Sequence, residues 1–239
     1  MTPPQHSDFL HFDRKINLAK YPTRLTEHTI IVITTASAII LYISQLNYQF
    51  LSYKMLSKEQ LIKTEADALS DSDIQKILSP NRTNIIEYPD LAGVSDINNL
   101  FDKLGRCIVY IPISKTFGHW TCLTLRENKT VVEWFDPYGV KPDGEKKWIS
   151  PETLKRLHEE KPLLLDLLKR AKAQHGYKIT YSPYHWQEDK ENVNDCGDWV
   201  AVRLLLYKKS LEEINAMIKK SGMKPDDWVN TITYHILGK

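Results

Sequence analysis

Between Gly118 and Asp136 the chain reads GHWTCLTLRENKTVVEWFD, and the rest of the sequence is placed by what this stretch does. Trp120 to Leu125 alternates at a period of two, as a strand with one face turned inward does. Asn128-Lys129 supplies a turn, and Val131 to Phe135 is β-branched and aromatic enough for a second strand. His119 then sits at the start of one strand and Asp136 at the end of its hairpin partner. Antiparallel pairing turns their separation in sequence into proximity in space.

Upstream, Cys107 to Pro112 reads as a further strand, preceded by a helix from Ile97 to Leu104 with Ser95-Asp96 as its cap. Two short helices come before that. Ser57 opens a polar helical stretch, and Leu69 to Leu78 carries a Ser-Asp cap and is ended by Pro80. Downstream, Pro151 to Ala173 is leucine-rich and charged at helical spacing, one connecting helix with a kink at Pro162. Lys178 to Tyr181 is a strand and Gln187 to Asp195 a polar loop. From Cys196 the pattern is apolar at helical spacing through Trp199, Val200, Val202, Leu204 and Leu206, and Leu211–Lys220 and Pro225–Leu237 are further helices. The sum is an α+β domain over residues 57–239, with a small, mostly antiparallel sheet and helices packed around it.

At 239 residues and 42% apolar content the chain can bury one good core and carry a small appendage. Its 32 basic and 30 acidic side chains are interspersed to a formal net charge of +2, so there is no strong nucleic-acid signal. Three cysteines, Cys107, Cys122 and Cys196, are too scattered for a disulfide framework and lack the paired spacing of a zinc site. Reduced thiols, no metal and no cofactor are expected. The triplets at Asn81 and Asn128 match a glycosylation acceptor but arise often by chance, and are discounted.

Residues 1–56 form an N-terminal extension. From His28 to Tyr53 there is no formal charge, and Ile30 to Ile43 is the most apolar run in the protein. Crossing a bilayer takes roughly 20 mostly apolar residues, more than the apolar part supplies. Tyr42, Tyr48 and Tyr53 suit a membrane interface, and Lys/Arg flank both ends without setting a direction. Two readings stay open for residues 29–46, a membrane-contacting segment and a buried core element. A signal peptide is disfavoured by the long stretch before the run.

Taken together, four residues supply the parts of a thiol nucleophile site. Cys196 stands at or next to a helix N-terminus, where the helix dipole and unpaired backbone donors favour thiolate. His119 is the general base and later acid, and Asp136 holds its tautomer. The Gln187 side-chain amide and the Cys196 backbone N–H form the oxyanion hole. Trp120 packs beside the His, and Gly197 lets a substrate carbonyl approach the backbone, so both are expected in substrate binding. His185 is a rival base by nearness in sequence to the Gln, but lacks the carboxylate that the hairpin gives His119.

Gly118-His119-Trp120, Phe135-Asp136-Pro137-Tyr138-Gly139, a Gln, and Asp195-Cys196-Gly197-Asp198-Trp199 together resemble the adenain-like and ubiquitin-like-protein-specific cysteine proteases. The likeness covers roughly Leu69 to Leu206. It is greatest to maturation proteases of double-stranded DNA viruses, including large DNA viruses and virophages. The resemblance implies the adenain-like fold and a His-Asp-Cys triad that cuts capsid or core precursors in the virion or host cytoplasm, with an activating peptide as a further partner. Gln187 stands nine residues before Cys196, a longer spacing than the family has. An insertion over Glu188 to Asn192 would absorb the difference, or Asn194 would offer the amide instead. The same triad serves three alternatives. These are a deubiquitinase or SUMO-type deconjugating enzyme acting on a ubiquitin-like protein, an acetyltransferase, and an inactive membrane-associated scaffold.

Overall fold

The computed structural model describes residues 53–114, 117–191 and 193–239. The expected α+β architecture is what they adopt. Helices α1 (Lys58–Ala66) and α2 (Asp71–Ile77) lead into a five-stranded sheet of β1 (Asn84–Glu87), β2 (Arg106–Pro112), β3 (Gly118–Arg126), β4 (Val131–Phe135) and β5 (Lys178–Tyr181). Between β4 and β5 run α3 (Pro151–Leu157) and α4 (Leu163–His175). After β5 come α5 (Cys196–Leu205), α6 (Leu211–Ser221) and α7 (Pro225–Leu237). The strands lie side by side in chain order. The central β2–β3 and β3–β4 pairings are antiparallel, while the edge pairings β1–β2 and β4–β5 are parallel.

Local chemistry accounts for most element ends. Ser57, Ser70 and Ser210 each accept from the backbone three residues on while that residue's side chain returns the bond, closing capping boxes on α1, α2 and α6. The hairpin turns through Glu127, Asn128 and Lys129, all at positive φ, and Thr130 closes it by donating to the Arg126 carbonyl at 3.0 Å.

β4 is buried along its whole length because both faces of the sheet are covered. Val132 and Trp134 pack with Val109, Ile111 and Leu123 into the larger core, roofed by Leu164, Leu167 and Leu168 of α4 and by Tyr88 and Leu91. On the other face lies α5, with α2 and α7 packed outside it. Arg203 of α5 reaches back to Glu133 of β4, Nε to Oε1 at 2.8 Å, and the pair is buried.

Two helices differ from expectation. The single helix over Pro151–Ala173 is two, because His158 turns left-handed at φ 60° and caps α3, and Pro162 has no N–H to carry the ladder into α4. The helix over Ile97–Leu104 is a short 3-10 turn ending at Leu100. Downstream of it the Asp102 carboxylate takes the backbone N–H of Leu104 and of Arg106, at 2.8 and 3.0 Å, and forms a turn instead. Residues 29–46 lie outside the described residues. Among the described residues no helix is long and apolar enough to cross a membrane.

Candidate active site

The β3–β4 register sets Cys122 opposite Phe135 and, continued one step, Asp136 opposite Thr121, diagonal to His119. The diagonal is short enough for His119 Nε2 to lie 2.9 Å from Asp136 Oδ2. Asp136 is fully buried, and its other oxygen, Oδ1, accepts from the backbone N–H of Tyr138 at 2.7 Å. The carboxylate is thus oriented from two sides. Gly139 permits this turn: its φ is +67°, and a Cβ there would fall 2.7 Å from the Tyr184 carbonyl oxygen.

Cys196 is the first residue of α5, with Asp195 as its N-cap and 8% of its own surface exposed. Its thiol lines the same cleft as the His119 imidazole, and its influence is among those that raise that ring's pKa. Because Nε2 is taken by Asp136, the ring nitrogen left for the thiol is Nδ1. Burial opposes a charge on His119, but the hydrogen bond to Asp136 and the influence of Cys196 outweigh it and raise the imidazole to about 10. Tyr138 lies 5.4 Å and Trp148 5.8 Å from the imidazole, ring centre to ring centre, so the His stands in an aromatic enclosure.

The same turn places Gln187. The carbonyl of Pro137 accepts from the backbone N–H of Trp186 at 2.9 Å and of Gln187 at 3.2 Å, so the residue after Asp136 anchors the loop that carries the amide. Gln187 is buried, its Nε2 making only a long 3.5 Å contact with the Val193 carbonyl. Asn194, the other amide candidate, is committed elsewhere, its Nδ2 donating to the Ala66 carbonyl at 3.2 Å and its backbone N–H to that of Glu65 at 2.8 Å. His185 is exposed, meets Tyr138 edge-on at 5.9 Å, and makes no hydrogen bond to Asp136 or Cys196 among the described residues.

His119, Cys196, Gln187 and Trp120 line one cleft of about 480 Å³, with Leu69 and Ser70 on its wall. Trp120 donates from Nε1 to the Leu69 carbonyl at 3.2 Å and stacks obliquely on Tyr110 at 4.4 Å. Gly197 sits in a close approach between elements. A Cβ there would meet Leu69 Cβ at 2.9 Å and Trp120 Cδ1 at 3.3 Å, so its smallness lets α5 seat against β3 and the α2 entry. Sequence reading passed over Tyr138 and Trp148, which enclose the His. Tyr138 lies inside the quoted Asp-Pro-Tyr-Gly run, whereas nothing in the local pattern around Trp148 marks it.

Cys107 and Cys122 are buried in β2 and β3, and burial pushes both thiols up, which makes them poor nucleophiles. Among the described residues no three His, Cys, Asp or Glu side chains come together as a metal site.

Behind Cys196 lies a group of buried carboxyls. Burial, reinforced for Asp195 by Asp198 and Asp226, raises Asp195 to about 9, Asp198 to about 7 and Asp226 to about 6. Asp195 accepts from Asn230 at 2.9 Å, Asp198 from Thr233 at 2.5 Å and Asp226 from the Trp199 indole at 2.8 Å. A carboxyl raised by folding holds its proton in the native state after the unfolded chain has lost it. Its contribution is therefore complete below the unfolded value of about 4 and is lost as pH rises through the folded value. The thermal midpoint is expected to fall between pH 5 and pH 9, and Asp195→Asn to flatten that slope. A midpoint that rises over this interval in calorimetry would refute the assignment.

No family model matches the chain. It is similar to a protein of the Sputnik virophage described as "Uncharacterized protein V9", 30% identical over 176 residues, which are 71% of this chain and 95% of that one. Among solved structures it is similar to the SUMO protease Ulp1 with its catalytic cysteine oxidized to a sulfinic acid. There the identity is 14% and the TM-score 0.33, with 81% of this chain and 94% of that chain covered. The C-terminal Ulp1 protease domain in complex with Smt3, the yeast ortholog of SUMO, gives 14% identity and a TM-score of 0.33, covering 82% and 95%.

Proposed function

The chain belongs to the same family as protein V9 of the Sputnik virophage, and we propose that it is a cysteine endopeptidase that processes capsid or core precursor proteins during virion maturation. The observation that carries the reading is the meeting of Cys196 at a helix start, the His119–Asp136 pair and the Gln187 amide in one cleft. The virophage relative supports the viral setting. Nδ1 of His119 takes the thiol proton, and the thiolate attacks the scissile carbonyl carbon. The resulting oxyanion is held by the Cys196 backbone N–H, which has no intrahelical acceptor in the first turn, and by the Gln187 amide. The imidazolium then protonates the leaving amine. Water, deprotonated by the same His, hydrolyses the thioester and restores the thiol.

The reading is tested by co-expressing the full chain with the virus's capsid and core proteins and reading their termini by mass spectrometry. New termini are expected with the native chain and none with Cys196→Ala. Equal processing by both would dispose of the proposal. Ubiquitin and SUMO bearing a C-terminal electrophile are run in parallel. Labelling of Cys196 by either, without precursor cleavage, would move the substrate to a ubiquitin-like protein.

A further inference from the structure

The walls of the cleft are largely apolar. Tyr110, Ile113, Trp120 and two aromatic rings that reach solvent, Phe117 at 49% and Trp148 at 40% exposure, form most of them. Among the described residues, and apart from the site's own groups and two tyrosines, the ionisable side chain on the lining is Asp189. The two residues before it are pinned: Gln187 N–H bonds the Pro137 carbonyl at 3.2 Å, and Glu188 N–H bonds Asp226 Oδ2 at 2.8 Å. The neighbouring acid is neutralised, since Glu188 pairs with Lys190 and, at 3.6 Å, with Lys224. Asp189 has no ion pair or side-chain hydrogen bond among the described residues. Its charge reaches into the cleft, where, after burial and the Cys196 charge, it is the next influence raising the Tyr138 phenol. A counter-charge lies beyond Trp148, where the Lys147 ammonium stands 5.3 Å over that ring.

An unpaired carboxylate next to pinned backbone, at the lip of an apolar cleft that holds a nucleophile, attracts cations and repels anions entering it. We propose that Asp189 is a specificity determinant that makes the cleft prefer substrates carrying Lys or Arg beside the scissile bond and reject those carrying Asp or Glu there. The inference rests on the peptidase reading for its substrate class.

The test compares the native chain with Asp189→Asn and Asp189→Lys, both at an exposed position, in two arms. In the first, peptides spanning a precursor cleavage site carry Lys or Glu at each flanking position, and the Lys-to-Glu ratio of kcat/KM is read within each variant. In the second, Cys196 is modified by a cationic and an anionic thiosulfonate, 2-aminoethyl and 2-sulfonatoethyl methanethiosulfonate, and the ratio of rates at the Cys196 peptide is read by mass spectrometry. Solvent-exposed charge pairs correspond to factors of about 2 to 5, and desolvated ones to more. Asp189→Asn is therefore expected to lower both ratios several-fold. Asp189→Lys is expected to invert them, and 0.5 M salt to compress the differences. Cleavage that Cys196→Ala abolishes, with ratios equal across the three proteins, would overturn the role of Asp189 and leave the peptidase standing. Thiosulfonate ratios that track residue 189 with no peptide cleaved by any protein would support the charge selectivity and overturn the peptidase.

Discussion

His119→Ala is expected to slow peptide cleavage on the order of 10⁴-fold or more, and Asp136→Asn by about 10⁴-fold, with the fold retained in both. The alanine removes the group that receives the thiol proton and delivers it to the leaving amine. The asparagine acts more subtly. Asp136 Oδ1 accepts from the Tyr138 backbone N–H at 2.7 Å, so an Asn at this position must place its carbonyl there and turn its NH₂ toward His119. That amide donates to Nε2, which drives the ring proton to Nδ1, the nitrogen facing Cys196, and leaves no lone pair for the thiol. Alkylation of Cys196 by iodoacetamide at pH 6 to 7, followed at the Cys196 peptide, reports the same loss without a peptide substrate. Both variants should alkylate far more slowly than the native chain. Native rates in Asp136→Asn would show that the pair does not set the tautomer.

Arg203→Met is expected to destabilise the domain by about 3–5 kcal/mol, read as a lower urea midpoint with an unchanged slope. The guanidinium is buried in α5 and engages Glu133 Oε1 through Nε at 2.8 Å and NH2 at 2.5 Å, while NH1 donates to the Leu206 carbonyl at 3.2 Å. Removing it leaves the buried Glu133 carboxylate with Arg126, bound to Oε2 at 2.6 Å, and the weak 3.5 Å contact from Thr124. The strand that leads into Asp136 and the helix that carries Cys196 are joined by this pair. Glu133→Leu combined with Arg203→Met is expected to recover part of the loss, because the fully buried charges are then both gone and Arg126, which loses its partner, is partly exposed to solvent. A single Arg203→Met variant as stable as the native chain would show that the pair does not tie β4 to α5.

Where neighbours in sequence make the structure, the sequence was readable. The β3–β4 hairpin follows from a period of two on either side of a turn, and the starts of α1, α2 and α6 from serine capping boxes whose partners lie three residues away. The start of α5 at Cys196 follows from the switch to helical spacing. Where the partner is remote, the sequence misled or was silent. Glu133 in a strand and Arg203 in a helix look like solvent-facing residues until β4 meets α5. Nothing near Gly197 in sequence shows that Leu69 and Trp120 pack against it. Gln187 was the amide expected and Asn194 the substitute for it, and the contacts of Asn194 with Glu65 and Ala66 commit it elsewhere.

The sequence by itself determined four of the five strands, the capped helix starts and the order His119, Asp136, Gln187, Cys196, since periodicity, caps and turns act over a few residues; β1, the break between α3 and α4 and the turn after Leu100 lay outside it. Only the tertiary structure decided which groups share a cleft, which charges are buried and which loop residue faces the nucleophile. Those depend on contacts across tens of residues, which no local pattern encodes.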